Sequence, residues 1–478
     1  MRSRLRYLAL GLFVAVALAA AGCGGGTKAG SSSPSGASLV RSGALAFTAI
    51  DSDTGSDQWR QLDALAKKFP GRDLAIAGLE SKLGEQGVNW NDDVKPAIGP
   101  EVDVAVVGSS QSNAAFAVLT QPKDEGKFKA LVTKMNAKNT DSPAVYRKVG
   151  DWYALSQSQR MIDRVLAPKG SATLADDSAF KEGLSKLAGD ALVKAYVNTK
   201  KAALLMEANT LHGASPYNNA LPALGKLDSL SAALTAEDDG IRLHGATVGQ
   251  NVTGGSYTSE LLSHAPADAL AFMTFRGGGQ TSSSLGQIGG ALQASLGVTG
   301  RQIAALFKNE TGIWVRPGAV IPEVTAILQP DHPAAGLATL DKLAAALAAS
   351  SGGTLHHGAQ RTVDLGNFAL HYGAVGGKIV ITSAPGGVAG AGSSGEKLPA
   401  GADFSEAKSA AGLPDSTSGF MYVDLKNAIP LLEGFAQLEG GGGISSATAA
   451  NLRPLRSFLA WGSSSGDTQT FDAFLEIK

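Results

Sequence analysis

Histidine and cysteine are few in this chain, seven and one, and the histidines are not spaced as in a known catalytic or metal site. None of the seven histidines forms the i, i+4 helical pair with a glutamate that zinc peptidases use. His356 and His357 are adjacent, and adjacent side chains on a strand point to opposite faces, so we expect a structural or surface role for them. The single cysteine excludes an intramolecular disulfide and any cysteine-based zinc or iron–sulfur site. The sequence therefore predicts no metal site, no cofactor and no catalytic residue.

Two glycine-rich segments match catalytic motifs in their letters but not in their surroundings. Residues 462–466 (G-S-S-S-G) fit the pattern of a nucleophile elbow, which needs a strand before the serine and a helix after it. A second strand is predicted to follow, so we interpret the segment as a hairpin loop. Residues 390–395 (G-A-G-S-S-G) fit a dinucleotide-binding fingerprint but lead into Glu396–Pro399, not into a helix that could hold a pyrophosphate.

Three closely spaced carboxylates, Asp51, Asp53 and Asp57, could collect around a Ca²⁺ ion. The loop lacks the glycine and the bidentate glutamate of an EF-hand, since Ser56 and Leu62 stand at those places. The alternative is that Ser56 caps a helix and the carboxylates solvate its first turn, which we favour.

The first twenty-two residues have the features of an export signal. Arg2, Arg4 and Arg6 precede an uncharged apolar stretch at residues 8–21, which is shorter than a membrane-spanning helix requires. We therefore assign residues 1–22 to a signal peptide.

Cys23 is the one residue whose surroundings predict a chemical modification. Ala20, Ala21 and Gly22 lead directly into it, and the segment resembles the lipobox of bacterial lipoproteins, where leucine is preferred at the position of Ala20. The resemblance implies cleavage before Cys23, a diacylglycerol on its sulfur and a fatty acyl chain such as palmitate on its amino group. Two or three acyl chains anchor a protein stably. An ordinary secretory signal followed by a coincidental cysteine is the alternative.

The residues after Cys23 are rich in glycine and serine and have no apolar periodicity. We predict a flexible tether over residues 23–38, with a reach of about 50 Å when extended. No later apolar stretch is long enough to cross a bilayer. The expected location is extracytoplasmic, with the protein anchored by lipid to the outer face of the cell membrane.

The composition sets the class of protein. The chain has 478 residues, 44% of them apolar, enough to build sizeable folded cores. A formal net charge of −1 argues against nucleic acid as a partner, because phosphate binding needs a basic surface.

Similar segments recur at a nearly constant separation. Residues 44–47 (A-L-A-F) return at 269–272, and residues 195–198 (A-Y-V-N) return as M-Y-V-D at 421–424. Shared strand and helix composition is the alternative explanation. We predict two tandem homologous units, 39–262 and 263–478, that can pack into one pseudo-symmetric body.

Paired short apolar runs make antiparallel pairing the expected arrangement. The runs 102–107 and 114–119 flank a polar loop, and the run 145–154 turns at Gly150. Helical stripes lie between such pairs, as in Phe128, Leu131, Val132 and Met135. The last run alternates along one strand face at Phe471, Ala473, Leu475 and Ile477. The predicted class is α+β, with antiparallel sheet and packed helices in each unit.

Residues 49–71 (A-I-D-S-D-T-G-S-D-Q-W-R-Q-L-D-A-L-A-K-K-F-P-G) resemble the start of an uncharacterised family of actinobacterial secreted and lipid-anchored proteins. This is the domain-of-unknown-function family thirty-three fifty-two. The resemblance implies an extracytoplasmic α+β protein and supplies no activity.

Three functions stay open on these grounds. We expect a non-enzymatic lipoprotein that binds or scaffolds at the cell envelope, with the membrane as a partner through its anchor and an envelope protein or an apolar ligand as a further partner. The first alternative is a carrier or chaperone for a lipid or other apolar molecule, which low charge and curved sheets favour. The second is a secreted hydrolase whose residues meet only in the fold.

Overall fold

A computed structural model describes residues 34–108, 114–187, 189–210, 227–249, 255–277, 296–318, 321–358, 360–366, 368–390, 395–438 and 444–478. The chain forms two compact units. Unit 1 takes in Met1–Gln250 together with Ser445–Pro454 and Ile477–Lys478, and unit 2 takes in Asn251–Ile444 and Leu455–Glu476. Cys23 lies outside the described residues.

Unit 1 is built on an antiparallel sheet. Its strands are β1 (Ala46–Asp51), β2 (Glu101–Val107), β3 (Ala115–Thr120), β4 (Val145–Val149), β5 (Trp152–Ser156), β6 (Val193–Asn198), β7 (Leu227–Glu237) and β8 (Gly240–Gly249). Their order across the sheet is β4-β5-β3-β2-β1-β6-β7-β8, and every neighbouring pair is antiparallel.

The strands of unit 2 are also paired antiparallel. They are β9 (Ala271–Arg276), β10 (Glu310–Arg316), β11 (Glu323–Leu328), β12 (Thr354–His356), β13 (Arg361–Asp364), β14 (Ala369–Val375), β15 (Lys378–Thr382), β16 (Gly419–Asp424), β17 (Leu455–Ser465) and β18 (Thr468–Ile477). The pairings run in the order β12-β13-β14-β15-β11-β10-β9-β16-β17.

Helices connect the strands in both units. Those of unit 1 are Asp57–Ala66, Arg72–Glu85, Lys95–Ala97, Glu125–Lys138, Gln159–Val165, Ser178–Ser185, Thr199–Thr210 and Ser446–Leu452. Those of unit 2 are Gly300–Leu306, Pro333–Ser351, Gly387–Gly390, Ala402–Ala411 and Leu425–Leu438. Their ends follow from local chemistry: the carboxylates of Asp124 and Asp177 accept hydrogen bonds from the first turns of two helices, and Gly352 ends a third in the left-handed conformation. Among the described residues, no helix is both long and apolar enough to cross a bilayer.

The strands of the two units follow the same order. Unit 1 has the order β4, β5, β3, β2, β1, β6, β7. Unit 2 has, at the equivalent places, β14, β15, β11, β10, β9, β16, β17. Equivalent aromatic pairs fill both cores, with ring centroids 5.1 Å apart for Phe180 and Tyr196 and 5.0 Å apart for Phe404 and Tyr422, each pair edge to face.

The α+β class and its hairpins are confirmed. Strands β2 and β3 pair antiparallel, as do β4 and β5, which join at Gly150 with a φ of +61°. The predicted stripe lies on the helix Glu125–Lys138, where Phe128 and Val132 are buried.

Two boundaries differ from those expected. Unit 2 begins after Gln250, earlier than the predicted division at 262/263, because Tyr257 bridges to Thr417 and Leu261 is buried in the core of unit 2. The predicted tether 23–38 also ends earlier. Residues Ser35–Ser38 form a 3-10 turn in which Gly36 and Ala37 are buried, so they belong to the folded part of unit 1.

Candidate functional site

In each unit, one face of the strands is buried in a hydrophobic core, and the other face carries apolar side chains that are not fully buried. The buried face of unit 1 packs Phe47, Phe180 and Tyr196 into a core, and that of unit 2 packs Phe272, Phe404 and Tyr422. The opposite face is the candidate site, because a large apolar surface that the fold leaves incompletely covered is the usual mark of a binding surface.

The apolar face of unit 1 consists of two rows that cross five neighbouring strands. The strand register defines both rows. The first row is Val118, Val104, Thr48, Ala195 and Ala232, and the second is Phe116, Val106, Ala46, Val197 and Leu230. All ten side chains are half-buried, and none is charged. The helix Glu125–Lys138 covers the adjoining part of this face, where Phe128 packs against Tyr153 with ring centroids 4.6 Å apart.

The apolar face of unit 2 has the same form. Its first row is Ala326, Ile313, Met273, Met421 and Ala460, and its second is Val324, Val315, Ala271, Val423 and Phe458. All ten positions are apolar and none is fully buried; Val324 is 43% exposed and Met273 is 37% exposed. Leu306 and the helix Pro333–Ser351 cover only the adjoining strands, around Leu328 and Ile379.

These two faces suit an apolar ligand, because none of their twenty side chains is charged. Removing apolar surface from water is favourable by about 25 cal/mol per Å², so each face gains by being covered. Met273 and Met421 add adaptable shape, because an unbranched thioether side chain repacks easily. Among the residues that the structure describes, no group of three or more histidine, cysteine, aspartate or glutamate side chains could hold a metal ion.

The acidic segment after β1 is a helix cap, as expected. The Asp51 carboxylate accepts from the Ser56 hydroxyl at 2.5 Å, and Ser56 Oγ accepts from the Trp59 backbone N–H at 3.3 Å, beginning the helix Asp57–Ala66. Burial raises the pKa of Asp51. Asp57 forms an ion pair with Arg60, and Asp53 accepts from the Gly55 N–H. These carboxylates are therefore occupied by local contacts.

The other motifs considered in the sequence do not come together in one site. His356 and His357 are exposed, and His356 contacts Thr354 at 3.0 Å. Residues 462–466 span the end of β17 and its turn into β18, with a φ of +63° at Gly466, so the hairpin interpretation is confirmed. Part of the segment 390–395 lies outside the described residues.

Sequence reasoning missed a carboxylate that each unit uses to hold an incoming turn, half-buried at Glu101 and fully buried at Glu310. In unit 1, Glu101 Oε1 accepts from the Ser35 N–H at 2.9 Å and from the Ser35 hydroxyl at 2.9 Å. In unit 2, Glu310 accepts from the Ser259 hydroxyl at 2.5 Å and from the Glu260 N–H at 3.0 Å. The partners are far apart in the chain, and an acidic residue beginning a strand gives no signal of burial.

Unit 1 also has a polar cleft of about 490 Å³ beside the π-helical turn Trp90–Val94. Lys134 Nζ donates to both Asp93 oxygens at 2.7 Å and crosses one wall. The Lys134 ammonium holds the pKa of Asp93 below its usual value. This ion pair closes part of the cleft, so we place the candidate site at the apolar faces.

Comparison with known proteins gives one family. A family model described as "Protein of unknown function (DUF3352)" matches residues 131–477. Residues 49–71, which suggested that family, lie outside the match. No curated protein matches the chain.

Two solved structures show a distant likeness, and both are crystal forms of TP0453. Form IV has 10% identity and a TM-score of 0.26, covering 46% of this chain and 94% of that one. Form III has 11% identity and a TM-score of 0.23, covering 48% and 90%. Likeness at these scores supports no statement about this chain.

Proposed function

Because the chain belongs to the DUF3352 family, whose function is unknown, we propose its role from its own residues. The protein is an extracytoplasmic lipoprotein, held at the outer face of the cell membrane by acyl chains on Cys23, and it acts by binding or scaffolding and not by catalysis. The observation that carries the binding role is the apolar face of each sheet, ten side chains without a charge and without full burial.

The anchor is supported by the order of segments along the chain. An apolar segment, small residues and Cys23 precede a glycine- and serine-rich stretch, and folded structure begins at Ser35. The Glu101 carboxylate holds Ser35 at the surface of unit 1, so a chain attached to a membrane at Cys23 would enter the unit at that point.

Metabolic labelling tests the anchor. Cells that express the full chain with radiolabelled palmitate should incorporate label, and Cys23→Ser should lose the label and leave the membrane fraction. Ser32→Ala in the same stretch is the control and should keep both. Unlabelled wild-type protein, or Cys23→Ser that still sediments with membranes, would contradict the anchor.

A second candidate function is a carrier for a lipid or another apolar molecule. It is favoured by the uncharged composition of both faces and by the two exposed methionines, which suit a flexible acyl chain better than a fixed protein surface. Native mass spectrometry of the purified full chain distinguishes the two. Bound lipid supports the carrier, whereas a reproducible protein partner without bound lipid supports the scaffold.

We also infer that the two units arose by duplication. The shared strand order supports this, as do the equivalent contacts of Glu101 with Ser35 and of Glu310 with Ser259. An alignment of family members tests it, because profiles of the two halves should align Glu101 with Glu310. Profiles that align in another register would contradict it.

A further inference from the structure

Unit 1 contains two neighbouring carboxyl groups on one face of β2, Glu101 and Asp103, which we call the acid pair. Asp103 is 0% exposed, and neither of its oxygens has a hydrogen-bond partner of standard geometry. Its nearest polar neighbours are the Glu101 carboxylate and the Gly36 backbone amide. A buried carboxyl group without a good partner is costly, so its presence needs an explanation.

The acid pair lies directly beneath the turn Ser35–Ser38. Glu101 accepts from the N–H groups of Ser35 at 2.9 Å and Gly36 at 3.3 Å. A β-carbon at position 36 would overlap Asp103 Oδ2, so only glycine fits there. The turn therefore packs directly against both members of the acid pair.

Unit 2 shows that holding such a turn does not require the second acid. The strand register pairs Ala105 with Phe47 and Trp314 with Phe272, which places Gly312 at the position of Asp103 and Glu310 at that of Glu101. Leu261 fills the space, since a β-carbon at Gly312 would lie 2.9 Å from Leu261 Cβ. Glu310 alone holds its turn.

The surroundings of Asp103 make its ionisation unfavourable. Burial is the main cause that raises its pKa well above the usual value, and the Glu101 charge adds to it. Asp51, opposite Glu101 on β1, turns its carboxylate to Ser56. Lys194, beyond Ala49 on β6, donates to the Gly189 carbonyl at 2.5 Å. From the other sides Asp103 faces Leu119, Trp152 and the uncharged turn.

We propose that the acid pair is a pH-dependent latch on the turn Ser35–Ser38. While Asp103 carries its proton, the turn stays docked on Glu101. When that proton passes to water, two carboxylates lie side by side, one of them fully buried, and the turn is released. The latch goes beyond the proposed function, because it requires no acyl chain on Cys23. Its release would lengthen the connection between unit 1 and the preceding chain.

Hydrogen exchange on the full chain tests the latch. After correction for intrinsic rates, protection of the amides from Ser35 to Val40 should fall by up to about tenfold for each pH unit between the ordinary aspartate pKa, which Asp103 has when the turn is released, and its raised pKa in the docked state, and should level off above that. The turn Leu261–His264 is an internal control in the same sample and should keep its protection. Asp103→Asn, which stays neutral, should remove the pH dependence.

Equal loss of protection at both turns, or an unchanged pH profile in Asp103→Asn, would overturn the proposal. A second measurement covers the case in which the variant folds poorly. At a pH where the wild-type turn is protected, the infrared difference between wild-type and Asp103→Asn should contain the carbonyl stretch of one protonated carboxyl group. Its absence would also overturn the latch.

Discussion

Met273 on β9 and Met421 on β16 lie directly opposite each other, and both side chains are exposed, by 37% and 36% respectively. Two long apolar side chains facing water at the centre of a sheet are unfavourable in isolation, because covering the exposed third of each would gain about 0.5–1 kcal/mol. Their neighbours in the row, Ile313 and Ala460, are apolar as well. Covering this surface with apolar groups would therefore be favourable.

The first prediction concerns that surface. Met273→Lys or Met421→Lys should weaken binding of an apolar ligand by at least about tenfold, or about 1.4 kcal/mol, because the ligand would have to desolvate an ammonium group. Binding is measured by titration of the purified full chain with a fluorescent fatty acid. The folded state should be little affected, since both positions face solvent.

Leu74→Lys is the matched control for this prediction. Leu74 is 80% exposed on the helix Arg72–Glu85 and belongs to none of the apolar rows, so its replacement should leave the titration unchanged. If all three lysine variants bind as the wild type does, the face of unit 2 is not the ligand site.

The second prediction compares the two cores. Phe180→Ala and Phe404→Ala should each destabilise its own unit by about 3–5 kcal/mol, because both rings are buried against a tyrosine edge to face. Thermal unfolding followed by calorimetry measures the loss. Phe368→Ala is the control, since Phe368 is 42% exposed and should change stability little. A small loss of stability in Phe180→Ala or Phe404→Ala would show that these aromatic pairs contribute little to the stability of the cores.

The elements that follow from short-range pattern could be predicted from the sequence. Phe128 and Val132 recur at the helical period, and both are buried on the helix Glu125–Lys138. Gly150 supplies the positive φ that the hairpin between β4 and β5 needs. Ser56 was recognisable as a cap because hydroxyl capping depends on residues only three positions apart.

The candidate site could not be predicted, because alternation shows which side chains share a face but not what covers that face. Of the predicted face of β18, Phe471, Ala473 and Leu475 are only half-buried and Ile477 alone is buried, whereas Phe474 and Glu476 on the opposite side are both buried. The docking of the turn on the acid pair was missed for a different reason. Ser35 and Glu101 are 66 positions apart, and only tertiary structure brings them together.

The third prediction tests the fit of the turn over the acid pair. Gly36→Ala should destabilise unit 1 by about 1–3 kcal/mol, because the new methyl group overlaps the Asp103 carboxyl. Adding Asp103→Ala should recover part of the loss, since the overlap is then removed. Urea denaturation measures both. Gly78→Ala is the control: no atom lies within 4 Å of the added carbon, and alanine favours the helix. A double variant no more stable than Gly36→Ala would contradict the fit.

The fourth prediction concerns acid pH and the ion pair of Asp93 with Lys134. Hydrogen bonds from Lys134 lower the pKa of Asp93 from the ordinary value of 3.8, so the unfolded chain takes up this proton first as the pH falls. The free energy of unfolding should therefore decrease as the pH falls below about 5, and the contribution is complete at neutral pH. Urea denaturation at several pH values measures the slope.

Lys134→Met should lower stability at neutral pH and flatten the acid slope, whereas Lys138→Met, exposed on the same helix, should do neither. An acid slope that Lys134→Met leaves intact would assign the pH dependence to other carboxylates.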